Sequence, residues 1–265
     1  MVYTCYEMIR DCRAAKPEGW IYFLKHYVPI VRAVVTHNFP DRELDRALLE
    51  SLLATLCQPA SGLFQSLDPA PERAFVTELR QLVVRTLYTS GPGVPLTLET
   101  LSALEPLTVT EKMAVWFETM RYGAVETGRM LRMSPETAVK IRDRGAELLR
   151  GGIDTWSRTM LMDQGLALGA QAAALHGEAC PPPKAFLDLI DGRTTWRGRE
   201  EMERHVRDCW YCLDHYCRLL EVVELLRNVQ PLGETEIGSL QHVLGIQSRR
   251  RPLWRKLLGV SPRES

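Results

Sequence analysis

The sequence predicts an all-α fold: an N-terminal helical bundle, a helix-turn-helix domain and a small C-terminal helical domain built round a cysteine–histidine array. Three observations predict it. Apolar residues recur at three- and four-residue steps through most of the 265 residues. No stretch of comparable length alternates with period two, and proline- and glycine-rich runs cut the helical stretches into blocks. With 45% apolar and 25% charged residues, the composition is that of a globular chain, which excludes a disordered or fibrous one.

In residues 1–90, Ile21, Leu24, Val28, Val31 and Val35 line one face of a helix over 20–37. Asp41 is the expected N-cap of the next helix, where Leu44, Ala47, Leu48, Leu52 and Leu56 repeat the pattern. Pro59, Gly62, Pro69 and Pro71 then interrupt it, and Phe75, Leu79, Leu82, Val83 and Leu87 mark a third amphipathic helix. The run Thr89-Ser90-Gly91-Pro92-Gly93-Val94-Pro95 opens a linker, placed at 91–99. A helix-turn-helix block is expected over 100–152, a connecting helix over 153–178, the cysteine-bearing domain over 179–230 and a basic extension over 231–265.

Charge is distributed unevenly beneath a net of zero, with 33 basic and 33 acidic residues. Residues 171–245 carry eight basic against twelve acidic, a net of −4, and the last twenty carry six against one, a net of +5. The even balance excludes a uniformly basic coat for indiscriminate nucleic-acid binding. No window nears the ~20 apolar residues of a membrane span, and Glu7, Arg10, Asp11, Arg13 and Lys16 break up any secretory core. A cytoplasmic location and no membrane partner are the expectation. Seven cysteines are an odd number for a disulfide set, so Cys5, Cys12 and Cys57 read as buried free thiols.

Within 100–152, a helix over 110–122 presents Met113, Phe117 and Met120 along one side, and a short helix over 124–131 follows. Ser134 is a good N-cap and Pro135 a good first residue for a third helix, and Glu136 suits the positive end of its dipole. That helix carries Lys140, Arg142 and Arg144, the charge a major-groove reader needs. The run Thr127-Gly128-Arg129-Met130-Leu131-Arg132-Met133-Ser134-Pro135-Glu136-Thr137-Ala138, with Arg144-Gly145 beyond it, resembles the promoter-binding C-terminal domain of bacterial sigma factors. Leu101-Ser102-Ala103-Leu104-Glu105-Pro106-Leu107 and Glu111-Lys112 resemble its lead-in, so the likeness runs ungapped across 101–150. It implies contacts with promoter DNA through Ser134, Glu136, Thr137, Lys140, Arg142 and Arg144. Two positions depart from that pattern: Arg132 stands where the turn usually has glycine, and Thr127 where the first helix has an apolar residue. Either the turn differs or Arg132 is strained.

The block 1–90 is similar to the first domain of the extracytoplasmic-function sigma factors. That resemblance implies that the helix over 41–56 docks on RNA polymerase core, with Asp45 and Glu50 as the acidic contacts. Arg73, Arg80 and Arg85 lie on the following helix, which carries few aromatics for stacking unpaired bases.

His205, Cys209 and Cys212 form an H-x₃-C-x₂-C array. Steps of four and three bring them to one face of a single helix, or a helix end at His205 passes into a Cys-x₂-Cys knuckle. Either way one imidazole and two thiolates gather, a set that tetrahedral Zn2+ favours. Cys180, at a proline-rich turn, is the preferred fourth ligand; Cys217 falls on the wrong face, and His176 and His215 are weaker candidates. With Asp188-Leu189-Ile190-Asp191-Gly192 and Glu203-Arg204-His205, the array resembles the zinc-binding anti-sigma domain over 180–227. This implies intramolecular contact between the zinc domain and both sigma-like domains, with a zinc site that can act as a redox switch.

The tail Arg249-Arg250-Arg251-Pro252-Leu253-Trp254-Arg255-Lys256 can touch phosphates or simply be solvated. Asp188 and Asp191 are expected to be solvated. No phosphate-binding glycine loop, G-x-S-x-G or HExxH motif is present, so no enzymatic activity is expected. The expected function is a sigma-like transcription regulator controlled by its own zinc domain. The alternative is a protein-interaction module that does not bind DNA and whose zinc site is structural or redox-sensing.

Overall fold

The computed structural model describes residues 3–65, 72–88, 96–150 and 164–244. They form twelve α-helices and two short 3-10 turns, with no strand among the described residues. The all-α expectation is met. The glycine-proline run 89–95, residues 151–163 with the first part of the expected connecting helix, and the basic tail from 245 onward lie outside the described residues.

The contacts divide the chain differently from the six segments read from the sequence. One compact unit comprises residues 1–88 with 225–265, and the other comprises 89–224.

In the first unit lie α1 (Cys5–Arg13), α2 (Pro17–Asn38), α3 (Arg46–Leu56), α4 (Glu72–Leu87) and α12 (Glu234–Leu244). Its core is aromatic. Phe64 packs at 5.0 Å from Trp20 and 5.3 Å from Phe23, while Tyr27 meets Phe75 edge-on at 5.0 Å. Gly19 lets α1 and α2 approach closely, because a Cβ there would sit 2.7 Å from the Cys12 backbone nitrogen. Cys5, Cys12 and Cys57 are free and buried, as expected. The expected N-cap moves from Asp41 to Asp45, whose carboxylate accepts the Leu48 N–H at 2.7 Å. The helix therefore starts at Arg46. An earlier start is precluded by a turn in which the Arg42 N–H bonds the Phe39 carbonyl.

The second unit holds α5 (Val109–Thr119), α6 (Ala124–Leu131), α7 (Pro135–Arg150), α8 (Gly165–Ala173), α9 (Pro183–Ile190), α10 (Trp196–Asp208) and most of α11 (Trp210–Asn228). Thr108 and Glu111 form a capping box that starts α5. The Ser134 hydroxyl accepts the Thr137 N–H at 3.2 Å and starts α7, as the sequence predicts. From Pro183 to Asn228 the chain forms three helices, because α10 stops at Asp208 and α11 starts afresh at Trp210. Leu104, Trp116, Phe117 and Met120 share one buried cluster with Phe186, Val206, Leu213 and Cys217. Each large side chain buried this way contributes about 1.5–3 kcal/mol. The cysteine-bearing segment is thus built into the helix-turn-helix core.

A candidate metal centre beside a helix-turn-helix

The break between α10 and α11 creates the site. Cys209 has φ −122° and ψ 110°, an extended residue between two helices. His205 lies in the last turn of α10, Cys209 in the break, and Cys212 in the first turn of α11, where it is fully buried. Of the two geometries open to H-x₃-C-x₂-C, the structure adopts the helix end leading into a Cys-x₂-Cys knuckle. Neither Pro nor Gly occurs nearby to announce the break.

Cys180 arrives from the loop before α9. A turn closed by its own N–H on the Gly177 carbonyl at 3.0 Å holds it, and Pro181 to Pro183 stiffen the exit into α9. The Gly177 N–H in turn donates to Cys180 Sγ at 3.5 Å.

The donor atoms of Cys180, His205, Cys209 and Cys212 all lie within 4.8 Å of one another. Cys180 Sγ is 3.9 Å from Cys209 Sγ, and His205 Nε2 is 3.2 Å from Cys212 Sγ. A tetrahedral ion with metal–sulfur bonds of about 2.3 Å needs sulfurs about 3.8 Å apart, so the cluster is already near that size. Burial, then the neighbouring Cys180 and Cys209 thiols, push the Cys212 thiol well above its usual range. Three thiolates brought this close together would need a cation between them, and with one imidazole beside them the set fits a metal ion.

The other candidates lie elsewhere. Cys217 is fully buried in the apolar core. His215 packs its ring 4.9 Å from Phe186 and stacks on Tyr211, and burial lowers its pKa. His176 meets the edge of Tyr211 at 4.5 Å. Asp188 and Asp191, expected to be solvated, each pair with Arg193 at 2.9 Å, because the turn at Gly192 folds Arg193 back over the end of α9.

The helix-turn-helix is a tight pair. Arg132 has φ 57° and ψ 44°, so the turn keeps the left-handed geometry and an arginine bears the strain. Gly128 permits the close crossing: a Cβ there would lie 2.8 Å from the Met133 carbonyl oxygen. Thr127 is buried despite its hydroxyl. Ser134, Glu136, Thr137 and Lys140 are exposed along the first turns of α7. Arg142 turns inward, 17% exposed, with its guanidinium 3.7 Å from Glu118 and 3.3 Å from Asp143. Arg144 is exposed but donates to Glu111 at 2.8 Å. Thr108 and Arg144 together hold the Glu111 carboxyl below its usual range against the opposing effect of burial.

In the first unit, Asp45 is spent on its cap and Glu50 bonds Arg46 at 2.6 Å. Both stay at or near the surface. Asp45 also lines a cleft of about 480 Å³ with Arg32, Thr36, Leu49, Glu236 and Leu240.

Sequence reasoning missed a set of side chains that tie α5 to α11. Trp116 Nε1–H donates to Asp214 at 2.9 Å and Tyr122 donates to Glu221 at 2.8 Å. Buried Arg218 pairs with both Asp214 and Glu221 and donates to the Gly165 carbonyl. One signal was present: Lys112 to Thr119 is buried on every side, and Met113-Ala114-Val115-Trp116-Phe117 is apolar all round rather than on one stripe.

Compared with protein-family models, curated proteins and solved structures, the chain matches none of them.

Proposed function

We propose that this chain is a transcription regulator of the sigma-factor kind, which reads promoter DNA with α7 and carries a structural Zn2+ in its own core. The observation that carries the reading is the α6–α7 pair: a short left-handed turn, a close crossing at Gly128 and a polar first turn of α7 left open to solvent. Ser134, Thr137 and Lys140 reach base edges or phosphates directly, whereas Arg142 and Arg144 contribute only by giving up Glu118 and Glu111. In the first unit, α3 with Asp45 and Glu50 would be the contact for RNA polymerase core.

Control by the chain's own C-terminal part has a specific support in the first unit. Helix α12 buries Ile237 and Leu240 and packs on α2 and α3. Its seat is fastened by the Leu232 N–H on the Lys25 carbonyl at 2.9 Å, by Lys25–Glu234 at 3.3 Å and by Arg32–Glu236. It packs on α3, the helix that the sigma reading assigns to polymerase.

Zn2+ is the proposed ion because three thiolates and one imidazole close a tetrahedron with no open position, which suits a structural rather than a catalytic site. In this role Cys180, His205, Cys209 and Cys212 would hold the ion, whose charge would offset that of the three thiolates. The full-length protein should carry about one zinc per chain by elemental analysis, and Cys209→Ser should lose it; equal metal in both would refute the site.

The rival reading, an interaction module that does not bind DNA, draws on the engaged Arg142 and Arg144. Footprinting with polymerase core on promoter libraries separates the two. Protection that Lys140→Gln weakens supports promoter recognition, and neither protection nor polymerase retention leaves the rival.

A further inference from the structure

The two residues that flank the metal-bearing break are both gripped by α5, the first helix of the helix-turn-helix block. Lys112, only 4% exposed, donates Nζ–H to the Arg207 carbonyl at 2.8 Å. The same ammonium lies 5.3 Å from the centre of the Trp210 ring. Trp210 in turn stacks on Trp116 with centroids 5.6 Å apart and planes at 23°. Arg207 precedes Cys209 by two residues and Trp210 follows it by one. Thus the peptide on one side of Cys209 and the ring on the other are the landing points of α5.

Val206 and Leu213 anchor the two sides of the break in the apolar core, but Cys209 between them is outside either helix. Cys209 is extended and interrupts the helical ladder; the new helix begins with the Leu213 N–H on the Cys209 carbonyl. His205, Cys209 and Cys212 lie before, at and after the interruption, so an ion bound there staples its two sides. Without the ion, no metal bond ties Cys180, His205, Cys209 and Cys212 together to set the angle between α10 and α11. The lysine is committed as well. Its ammonium is buried, and losing the Arg207 carbonyl would leave that charge without its acceptor.

From α5 the order passes to the recognition helix. α5 packs on both α6 and α7, and Gly145 of α7 lies so close to Val115 that a Cβ there would clash with its Cγ2. A shift of α5 therefore moves α7.

We propose that metal occupancy of the Cys180–His205–Cys209–Cys212 site regulates the helix-turn-helix from within, by fixing the α10–α11 break on which Lys112 and Trp116 seat α5. This rests on the zinc and DNA readings above, and it makes the metal centre the keystone of the DNA-reading helices rather than a remote cover for them.

The test is amide hydrogen exchange, read by mass spectrometry, on the full-length protein loaded with zinc and after chelation. Elemental analysis records the metal in each sample. Chelation should speed exchange in 109–131 by about tenfold or more while the amides of α2, in the other unit, keep their protection. Lys112→Met retains the apolar stem but not the donor. It should still bind zinc, yet already exchange fast in 109–119 when loaded, so its response to chelation shrinks. Zinc bound in wild type with unchanged exchange in 109–131 overturns the inference while the metal site stands. Loss of protection in α2 as well overturns it too, because chelation would then act on the whole fold. A Lys112→Met response equal to wild type removes Lys112 as the link. If wild type holds no more zinc than Cys209→Ser, it is the zinc reading that fails.

Discussion

Single residues carry strain and charge that can be measured apart from the rest. Arg132 holds a left-handed conformation in which a Cβ is unfavourable by about 1–2 kcal/mol. Arg132→Gly removes the clash at the cost of a more flexible unfolded chain, so a net gain of about 0.5–1 kcal/mol is expected from urea unfolding. A loss would mean that the arginine side chain supports the turn. Asp11 is the opposite case, a charge well provided for. Arg10 and Lys16 each reach its Oδ1 at 3.0 Å and the Tyr3 hydroxyl reaches Oδ2 at 2.8 Å. The hydrogen bond from Arg10, against burial and with help from Tyr3 and Lys16, draws its pKa down to about 2. A carboxyl whose folded pKa lies below its unfolded value near ~3.9 stabilises the fold above that value and ceases to as pH falls through about 2. Asp11→Asn should therefore cost about 1–3 kcal/mol at neutral pH and flatten the loss of stability between pH 4 and pH 2. An unchanged acid limb would show that Asp11 plays no part in it.

Among the elements, α12 and α5 behave in ways their own sequences only half announce. The sequence places 234–244 in the basic extension, yet on α2 and α3 its Ile237 and Leu240 are buried. Ile237→Asp puts an unpaired charge in that seat and should free α12 from it. Retention of the full-length protein on immobilised polymerase core should then rise several-fold, and unaltered or weaker retention would count against α12 as a plug. α5 was read as one-sided because Met113, Phe117 and Met120 fall on a single stripe. In the structure its other side is equally covered, since Lys112 and Trp116 meet the α10–α11 break. The break is one of the two geometries the array allows, and the local sequence does not choose between them. His205-Val206-Arg207-Asp208-Cys209 contains no helix breaker, and only the convergence of four ligand atoms accounts for an extended residue there.

At the scale of the molecule, the division into 1–88 with 225–265 and 89–224 predicts how the protein melts. Calorimetry should resolve two transitions. Chelation should lower only the one belonging to the unit that holds Cys180, His205, Cys209 and Cys212, because a ligand bound to the folded form stabilises only what it binds. A single transition, or two that shift together, would contradict that division.

Much was legible in the sequence because it depends on local spacing. The helical period, the cap at Ser134, the proline-rich turn at Cys180 and the His205–Cys209–Cys212 array follow from residues a few positions apart, and Cys180 is matched to that array across twenty-five residues. The even charge balance, too, fits a chain whose arginines largely meet partners of its own: Arg129 pairs with Glu224, Arg144 with Glu111 and Arg193 with Asp188. What only the tertiary structure decided is which blocks share a core. Trp116 meeting Trp210, Lys112 meeting the Arg207 carbonyl and Leu232 meeting Lys25 join residues about a hundred or two hundred positions apart. Such pairings are set by the competition among all buried surfaces for one another, and no local pattern encodes that outcome.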